Sequence, residues 1–412
     1  MISTRVDFRP RRGVALLTQA QAGQRHERSV NARVGIAWGL LVFNTMTFFP
    51  HTSFLPIPGF VGKGIAQSSL GAALLVVLTI NRKLVVRPNV FLCLVTLLVV
   101  GTILTMLQAH SFGGVYRTMR MAGFVAALWL LTPWWDRRDL LLVRSYLVTL
   151  WLVQGSVLLG LFVSPGRARA NGRLGGVVWP IPPTQVAHYA GVAIGLVVVL
   201  WFCGYMRDRT TVILAVVGGA TLLLTHTRTA LAALIAGLLV AGLSLVVAKP
   251  RVRRLFAAAG AFAAVAVMGF SAAIATWLAR GQSTEGLNNL TGRTEVWGPL
   301  LDFHRDKFQE IFGFGLSNAS FNGGPIDSNW LSSYQQEGLW GVVICAIILV
   351  FLLVTAYFQP RGVRRALALF LITYCLVASF TEDGFTDVSP YLLDLTLAAS
   401  LLVPTSESGG LT

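Results

Sequence analysis

RGQSTEGLNNLTGRTEVWGPLLDFHRDKFQEIFGFGLSNASFNGGPIDSNWLSSYQQEGLWG, Arg280 to Gly341, is the one long polar segment in a chain otherwise built of apolar runs. Gly and Asn turn signals open it, a helix-like stretch covers Thr294 to Ile311, and a Gly/Asn/Ser loop leads to Asp327, Ser328 and Asn329. A plain linker carries little apolar surface. This segment has Trp297, Phe303, Phe308, Phe312, Phe314, Phe321 and Trp330, enough to fold as a small ordered cap that carries the chemistry.

On either side of the cap the chain is far too apolar for a soluble globule. It has 412 residues, 55% hydrophobic and only 12% charged, with a mean hydropathy of +0.68. Its apolar runs are about as long as the roughly 20 residues that a helix needs to cross a bilayer. The expected fold is therefore all-α, a polytopic membrane protein of about 12 transmembrane helices, with a large, partly helical extracytoplasmic loop between helices 9 and 10. Spans are expected near 34–49, 60–80, 89–107, 118–133, 140–163, 184–203, 210–225, 229–248, 255–279, 331–357, 366–380 and 390–403. The domains follow: 1–33 a basic cytoplasmic tail, 34–279 helices 1–9, 280–330 the catalytic loop, 331–403 helices 10–12, and 404–412 a cytoplasmic tail.

Net charge is +16, which in a soluble protein points to nucleic acid. In a membrane protein the positive-inside rule accounts for it, and no nucleic-acid partner is expected. With both termini cytosolic, 21 of the 33 basic residues fall on inner segments. Seven arginines in residues 1–33, with no apolar core ahead of the first span, read as a cytosolic tail and not a cleaved leader. Cys93, Cys203, Cys345 and Cys375 lie inside apolar runs without paired spacing, so neither disulfides nor a zinc site is expected.

The informative residues are the basic ones on outer segments: Lys63, Arg117, Arg120, Arg167, Arg169, Arg173, Arg228, Arg280, Arg293, Arg305 and Lys307. Arg173 sits in RANGRLGGVVWPIPPTQ, where glycines and prolines fix an irregular loop beside the membrane. Arg228, in LLLTHTRTALAAL, is near a helix N-terminus, where a cation opposes the helix dipole by about 0.3–1 kcal/mol unless an anion is shared with the free backbone N–H groups. Its plain alternative is a side chain that snorkels to the interface. Arg293 opens the loop helix in LTGRTEVW. Together Arg173, Arg228 and Arg293 make a three-arginine clamp able to hold a diphosphate by bidentate hydrogen bonds without a metal. Glu382, Asp383 and Asp387, in TEDGFTDVSP, read as a solvated turn and not a metal box. Glu295 reads as a first-turn helix residue stabilised by the dipole.

The order of these features resembles the O-antigen ligase and polysaccharide polymerase family of integral membrane glycosyltransferases. Thr225-His226-Thr227-Arg228-Thr229-Ala230 looks like that family's Thr-x-Ser-Arg-x-Ala segment, Gly292-Arg293-Thr294-Glu295-Val296-Trp297 like its Gly-Arg-x-x-x-Trp, and Gly313-Phe314-Gly315 follows in the same order. Asp327-Ser328-Asn329-Trp330-Leu331 and Glu337-Gly338-Leu339-Trp340-Gly341 are similar to its His-Asn-x-x-Leu and Glu-x-Gly-x-x-Gly stretch, and Arg173 with Gly176 to its upstream Arg-x-x-Gly loop. The likeness covers residues 165–345.

The resemblance implies glycan ligation or polymerisation from a polyprenyl-diphosphate-linked donor to a glycan or glycolipid acceptor, at the outer side of the cytoplasmic membrane. It implies inversion at the anomeric carbon and no metal or cofactor. Arg228 and Arg293 are then catalytic, and Arg173, Arg228, Arg293, Asn329, Trp297 and His304 bind substrate. Where the family has a histidine, this chain has Asp327; neither His304 nor His226 occupies that place. Asp327 is either the general base or, with Ser328, a cap on the turn into the tenth helix. Two other classes stay open: a transporter or flippase of lipid-linked glycans, which should show internal repeats and broken helices in matching halves, and a non-enzymatic scaffold, which has no need of arginines on three outer segments.

Overall fold

The computed structural model describes residues 12–54, 56–109, 112–137, 139–246, 250, 252–254, 258, 293–316 and 320–404. The expected ninth span, the first part of the polar loop with Arg280, residues 1–11 and residues 405–412 lie outside the described residues.

Helix dominates because a long Leu/Val/Ala run in hydrocarbon must satisfy its own backbone. The helices are α1 (Arg12–Thr45), α2 (Gly59–Ile80), α3 (Val90–Ala109), α4 (Phe112–Leu131), α5 (Leu141–Val163), α6 (Pro165–Ala168), α7 (Pro183–Phe202), α8 (Asp208–Leu224) and α9 (Arg228–Val246). After the undescribed stretch come α10 (Arg293–Asp302), α11 (Lys307–Phe312), the short antiparallel strands β1 (Ser320–Phe321) and β2 (Gly324–Pro325), α12 (Asn329–Phe358), α13 (Val363–Ala378) and α14 (Pro390–Leu402). Proline begins α6, α7 and α14, a position where its missing N–H has no intrahelical partner to lose. Among the described residues six helices, α2, α3, α5, α7, α9 and α12, are long and apolar enough to cross a bilayer.

Two sequence expectations change at this level. Residues 12–33 of the expected tail continue α1 without a break. The expected loop helix from Thr294 to Ile311 is two helices, because Asp306 restarts the chain with a capping box: its carboxylate accepts from Gln309 N at 2.7 Å while Gln309 Oε1 accepts from Asp306 N at 3.2 Å.

α7 is the central helix, buried along nearly its whole length and packed by α5, α8, α9 and α13. The connections separate the bundle into two ends. At one end Phe49 N donates to Pro180 O (2.7 Å) and Leu174 N to Leu224 O (3.0 Å), tying the 45–54, 163–183 and 224–228 segments together, while Asn329 N donates to Ser379 O (2.9 Å), tying the start of α12 to the 378–390 segment. At the other end Arg137 binds Asn31 and Glu27, and Arg364 Nε donates to Leu401 O at 2.9 Å. Arg82, Lys83, Arg87, Arg207, Arg209 and Arg361 lie at the same helix ends as Arg137 and Arg364. The candidate site is at the first end.

Candidate functional site

The loop from α6 to α7 lies over the turn between α8 and α9. In that turn His226 adopts a left-handed conformation (φ +50°), which histidine tolerates better than most residues. The turn presents Thr225 O and Thr227 Oγ1 to Arg173, whose Nε and Nη2 donate to them at 3.0 and 3.1 Å. Arg228 follows as the first residue of α9. Two segments about fifty residues apart thus bring Arg173 and the Arg228 turn into direct contact. Burial lowers the Arg173 guanidinium below its usual value, and the nearby Glu382 opposes that shift. A guanidinium stays charged through such a change. Gly176 holds the loop's shape: its N–H donates to Ile181 O at 2.9 Å, and any Cβ there would run into Trp179 O.

Glu382 belongs to the loop between α13 and α14, and that loop is no solvated turn. Gly384, Phe385 and Thr386 are buried. Asn329, itself fully buried, accepts from Phe385 N at 2.8 Å, and Thr229 Oγ1 meets Thr381 Oγ1 at 2.6 Å, joining the loop to α12 and to the residue after Arg228. Asp387 pairs with Arg117 of α4 at 3.2 Å. Burial pushes the Asp383 carboxyl up to about 7, with Asp387 and, more weakly, Asp327 adding to the rise; a hydrogen bond from Ser332 and the charge of Arg117 oppose it. Asp327 is half-buried at the entry to α12. The N-cap of that helix is Ser328, whose own side chain makes no cap hydrogen bond.

Among the described residues 293–316 and 320–328, aromatic rings pack against one another. Phe303 packs edge-on to Phe314 and Phe321 with ring centroids 5.9 and 5.6 Å apart. Arg305 fastens the cap to α12, donating to Gln335 Oε1 at 2.9 Å and lying 4.4 Å over the Tyr334 ring. The Gly313-Phe314-Gly315 and Glu337-Gly338 motifs interlock. Phe314 N donates to Gln335 O (3.0 Å) and Gly315 N to Gln336 O (2.8 Å), at a break in α12 where Gly338 has φ +64°. Trp297 is half-buried on α10, and His304 is exposed just after it, neither shown against the arginine pair. Arg293 opens α10, but its side chain lies outside the described residues.

Two other basic residues expected on outer segments have structural work. Arg120 Nη2 donates to Asn44 O at 2.6 Å, and Arg167 Nη1 binds Ser53 O and Phe54 O, both at 3.1 Å.

Sequence reasoning missed a buried group beside this site. His188 of α7 places Nε2 3.0 Å from Asp394 Oδ2 of α14, and Tyr146 of α5 donates to Asp394 Oδ1 at 2.6 Å. Glu337, at the break in α12, is also fully buried, with no hydrogen-bond partner for either oxygen among the described residues. The available signal was an ionisable residue inside an apolar run, in PTQVAHYAGVAI and PYLLDLTLAAS. The whole arrangement sets fixed cations beside a group of carboxylates, chemistry suited to holding an anionic leaving group while a neighbouring hydroxyl loses its proton. No protein-family model matches this chain, and a comparison with curated proteins finds no match.

Proposed function

We propose that this chain is a membrane glycosyltransferase of the O-antigen ligase or polysaccharide polymerase type. It transfers or polymerises a glycan from a polyprenyl-diphosphate carrier at the outer side of the cytoplasmic membrane, through a bundle of about twelve spans with both termini inside. The observation that carries the reading is the contact between Arg173 and the Thr225–Thr227 turn that leads into Arg228. The resemblance singles out these two segments separately, and a shared phosphate site gives them a reason to meet. In the reaction an acceptor hydroxyl attacks the anomeric carbon, the bond from that carbon to the diphosphate oxygen breaks, and the diphosphate leaves with the electron pair. Arg173 and Arg228, with Arg293, neutralise the departing charge. Asp327 takes the hydroxyl proton.

The test is glycan transfer by purified protein with a polyprenyl-diphosphate oligosaccharide, in EDTA, comparing wild type with R228A, R293A and D327N. Loss of activity in all three folded variants is the expected result. Longer chains on the same carrier identify a polymerase, and transfer to a second acceptor a ligase. Full activity of D327N alone moves the base elsewhere.

A carrier of lipid-linked glycans is favoured by one observation, the His188–Asp394 pair buried in the bundle, since intramembrane ionisable pairs mark proton and substrate pathways. Absence of turnover, together with flipping of the same lipid in liposomes, decides for it.

A further inference from the structure

α1 and α5 lie side by side, and small residues stand where they meet. Gly35 faces Ser145 and Gly39 faces Thr149; a Cβ on these glycines would lie 3.0 and 3.2 Å from the opposing hydroxyls. The glycines let the two backbones approach, as small residues do between helices in a bilayer. They also leave a trough above the contact. It forms a groove of about 720 Å³ with apolar sides, Ile36, Leu40 and Phe43 from α1 and Val148 and Leu152 from α5. Val148 is 60% exposed and Leu152 69%, so no other described helix covers this face.

The groove has two unlike ends. From Ala32 to Met46 it runs about 21 Å at a helical rise of 1.5 Å per residue, much of the way across a bilayer core of about 30 Å. One end stops against Trp179 and Ile181 of the α6–α7 loop, with no charged side chain in its lining. The other opens between Asn31 and Arg144. Arg28 comes three and four residues before Asn31 and Ala32, hence on the same face of α1. Arg28 and Arg144 are exposed, and neither forms an ion pair among the described residues. The acidic side chains nearby, Glu27 and Asp139, both face Arg137, at 3.0 and 3.1 Å. Positive charge is therefore unmatched at this mouth. The apolar walls favour no particular lipid tail, because the surrounding hydrocarbon is as apolar as they are. Discrimination rests with the headgroup: two guanidinium forks bind phosphate oxygens, and their charge prefers an anionic lipid to a zwitterionic one.

We propose that the α1–α5 groove binds one anionic phospholipid, with its phosphodiester at Arg28 and Arg144 and one acyl chain lying over Gly35 and Gly39 toward Trp179. A polyprenyl diphosphate has to present its phosphates at the opposite end of the bundle, where Arg173 and the Arg228 turn meet, so its head would be at the wrong mouth. A second copy packed here about a two-fold axis along the membrane normal would set arginines against arginines. The lipid site does not depend on the glycosyl-transfer chemistry.

Native mass spectrometry of the purified full-length chain in detergent tests this, with phosphatidylglycerol and phosphatidylcholine of identical acyl chains titrated separately. Wild type is expected to hold one phosphatidylglycerol about tenfold or more tighter than phosphatidylcholine. R28A and R144A should each weaken phosphatidylglycerol by about fivefold, the scale of one arginine at an anionic surface, and so bring it toward phosphatidylcholine. R361A, an exposed arginine at the same end of the bundle but outside the groove lining, should change neither lipid. V148W fills the groove from an exposed wall position, where folding does not depend on the side chain, and should abolish the tight site. Equal affinity for the two lipids, or a loss in R361A as large as in R144A, means diffuse attraction to a basic surface and overturns the proposal. Unchanged phosphatidylglycerol affinity in V148W places the lipid elsewhere and does the same. Displacement of phosphatidylglycerol by an equal amount of a polyprenyl phosphate gives the groove to the donor's tail; it sinks the phospholipid site and leaves the transferase reading intact. A dimer peak that V148W removes gives the groove to a second copy and also overturns the proposal.

Discussion

Arg173 is the residue on which two parts of the site depend. Lysine there has one compact ammonium and cannot span Thr225 O and Thr227 Oγ1 in the same forked geometry. R173K is expected to reduce glycan transfer by about 100-fold or more, the scale of a removed charge-stabilising donor, while stability falls by only about 1–2 kcal/mol for the lost hydrogen bonds. A transfer assay and an unfolding curve on the same preparation check both. Asp383 yields a prediction about pH. Its carboxyl is pushed up to about 7 in the folded chain, whereas an unfolded aspartate titrates near 3.9. Between those values the folded state holds the extra proton, so stability is greatest at the acid side and falls as pH rises through the window. D383N removes a titrating group and should flatten that slope; an identical slope in the variant means that Asp383 is not the group responsible. Legibility at this scale was uneven. Arg173 and Arg228 stood out as basic residues on outer segments, but His188 and Asp394 are single polar letters in apolar runs, and only packing reveals that they face each other.

At the scale of elements, the joint between α11 and α12 is what holds the cap to the bundle. Gly338 adopts φ +64°, and a Cβ there would sit 2.5 Å from Ile311 C and O. Both the backbone conformation and the space exclude a larger residue. G338A is expected to destabilise by at least about 2 kcal/mol and to abolish transfer, since the break in α12 sets the direction in which Asn329 and Asp327 enter the site. G64A is the control: it has open space around the added methyl and a helical position, so its unfolding midpoint should stay level or rise. Equal midpoints for the two variants would show that the interlock carries no stability. The Gly-Phe-Gly and Glu-x-Gly motifs were visible as text. That they are two halves of one backbone contact was not, because the hydrogen bonds from Phe314 and Gly315 reach carbonyls some twenty residues away.

For the whole molecule, the testable matter is which end of the bundle faces out. Basic residues crowd the end opposite the candidate site, and the positive-inside rule predicts that the site faces out. In a variant with Cys93, Cys203, Cys345 and Cys375 replaced, H304C should react with a membrane-impermeant maleimide on intact cells, while K83C should react only after permeabilisation. The reverse pattern inverts the topology and removes the outer-leaflet donor from consideration.

Composition and the run lengths were enough to give a mostly helical chain with helices of membrane-crossing length, and charge bias alone gave an orientation to test. These follow from local rules: a helix satisfies its own backbone in hydrocarbon, and each arginine is repelled by the membrane independently of its neighbours. What only the tertiary structure decided is which polar groups share a neighbourhood: Arg173 with the Thr225 turn, Asn329 with the acidic loop, and His188 with Asp394 and Tyr146. Apolar spans of similar composition can pack in many orders. The side chains that meet are set by close-packing of the whole bundle and by hydrogen bonds that close over long stretches of chain, and no window along the sequence contains that information.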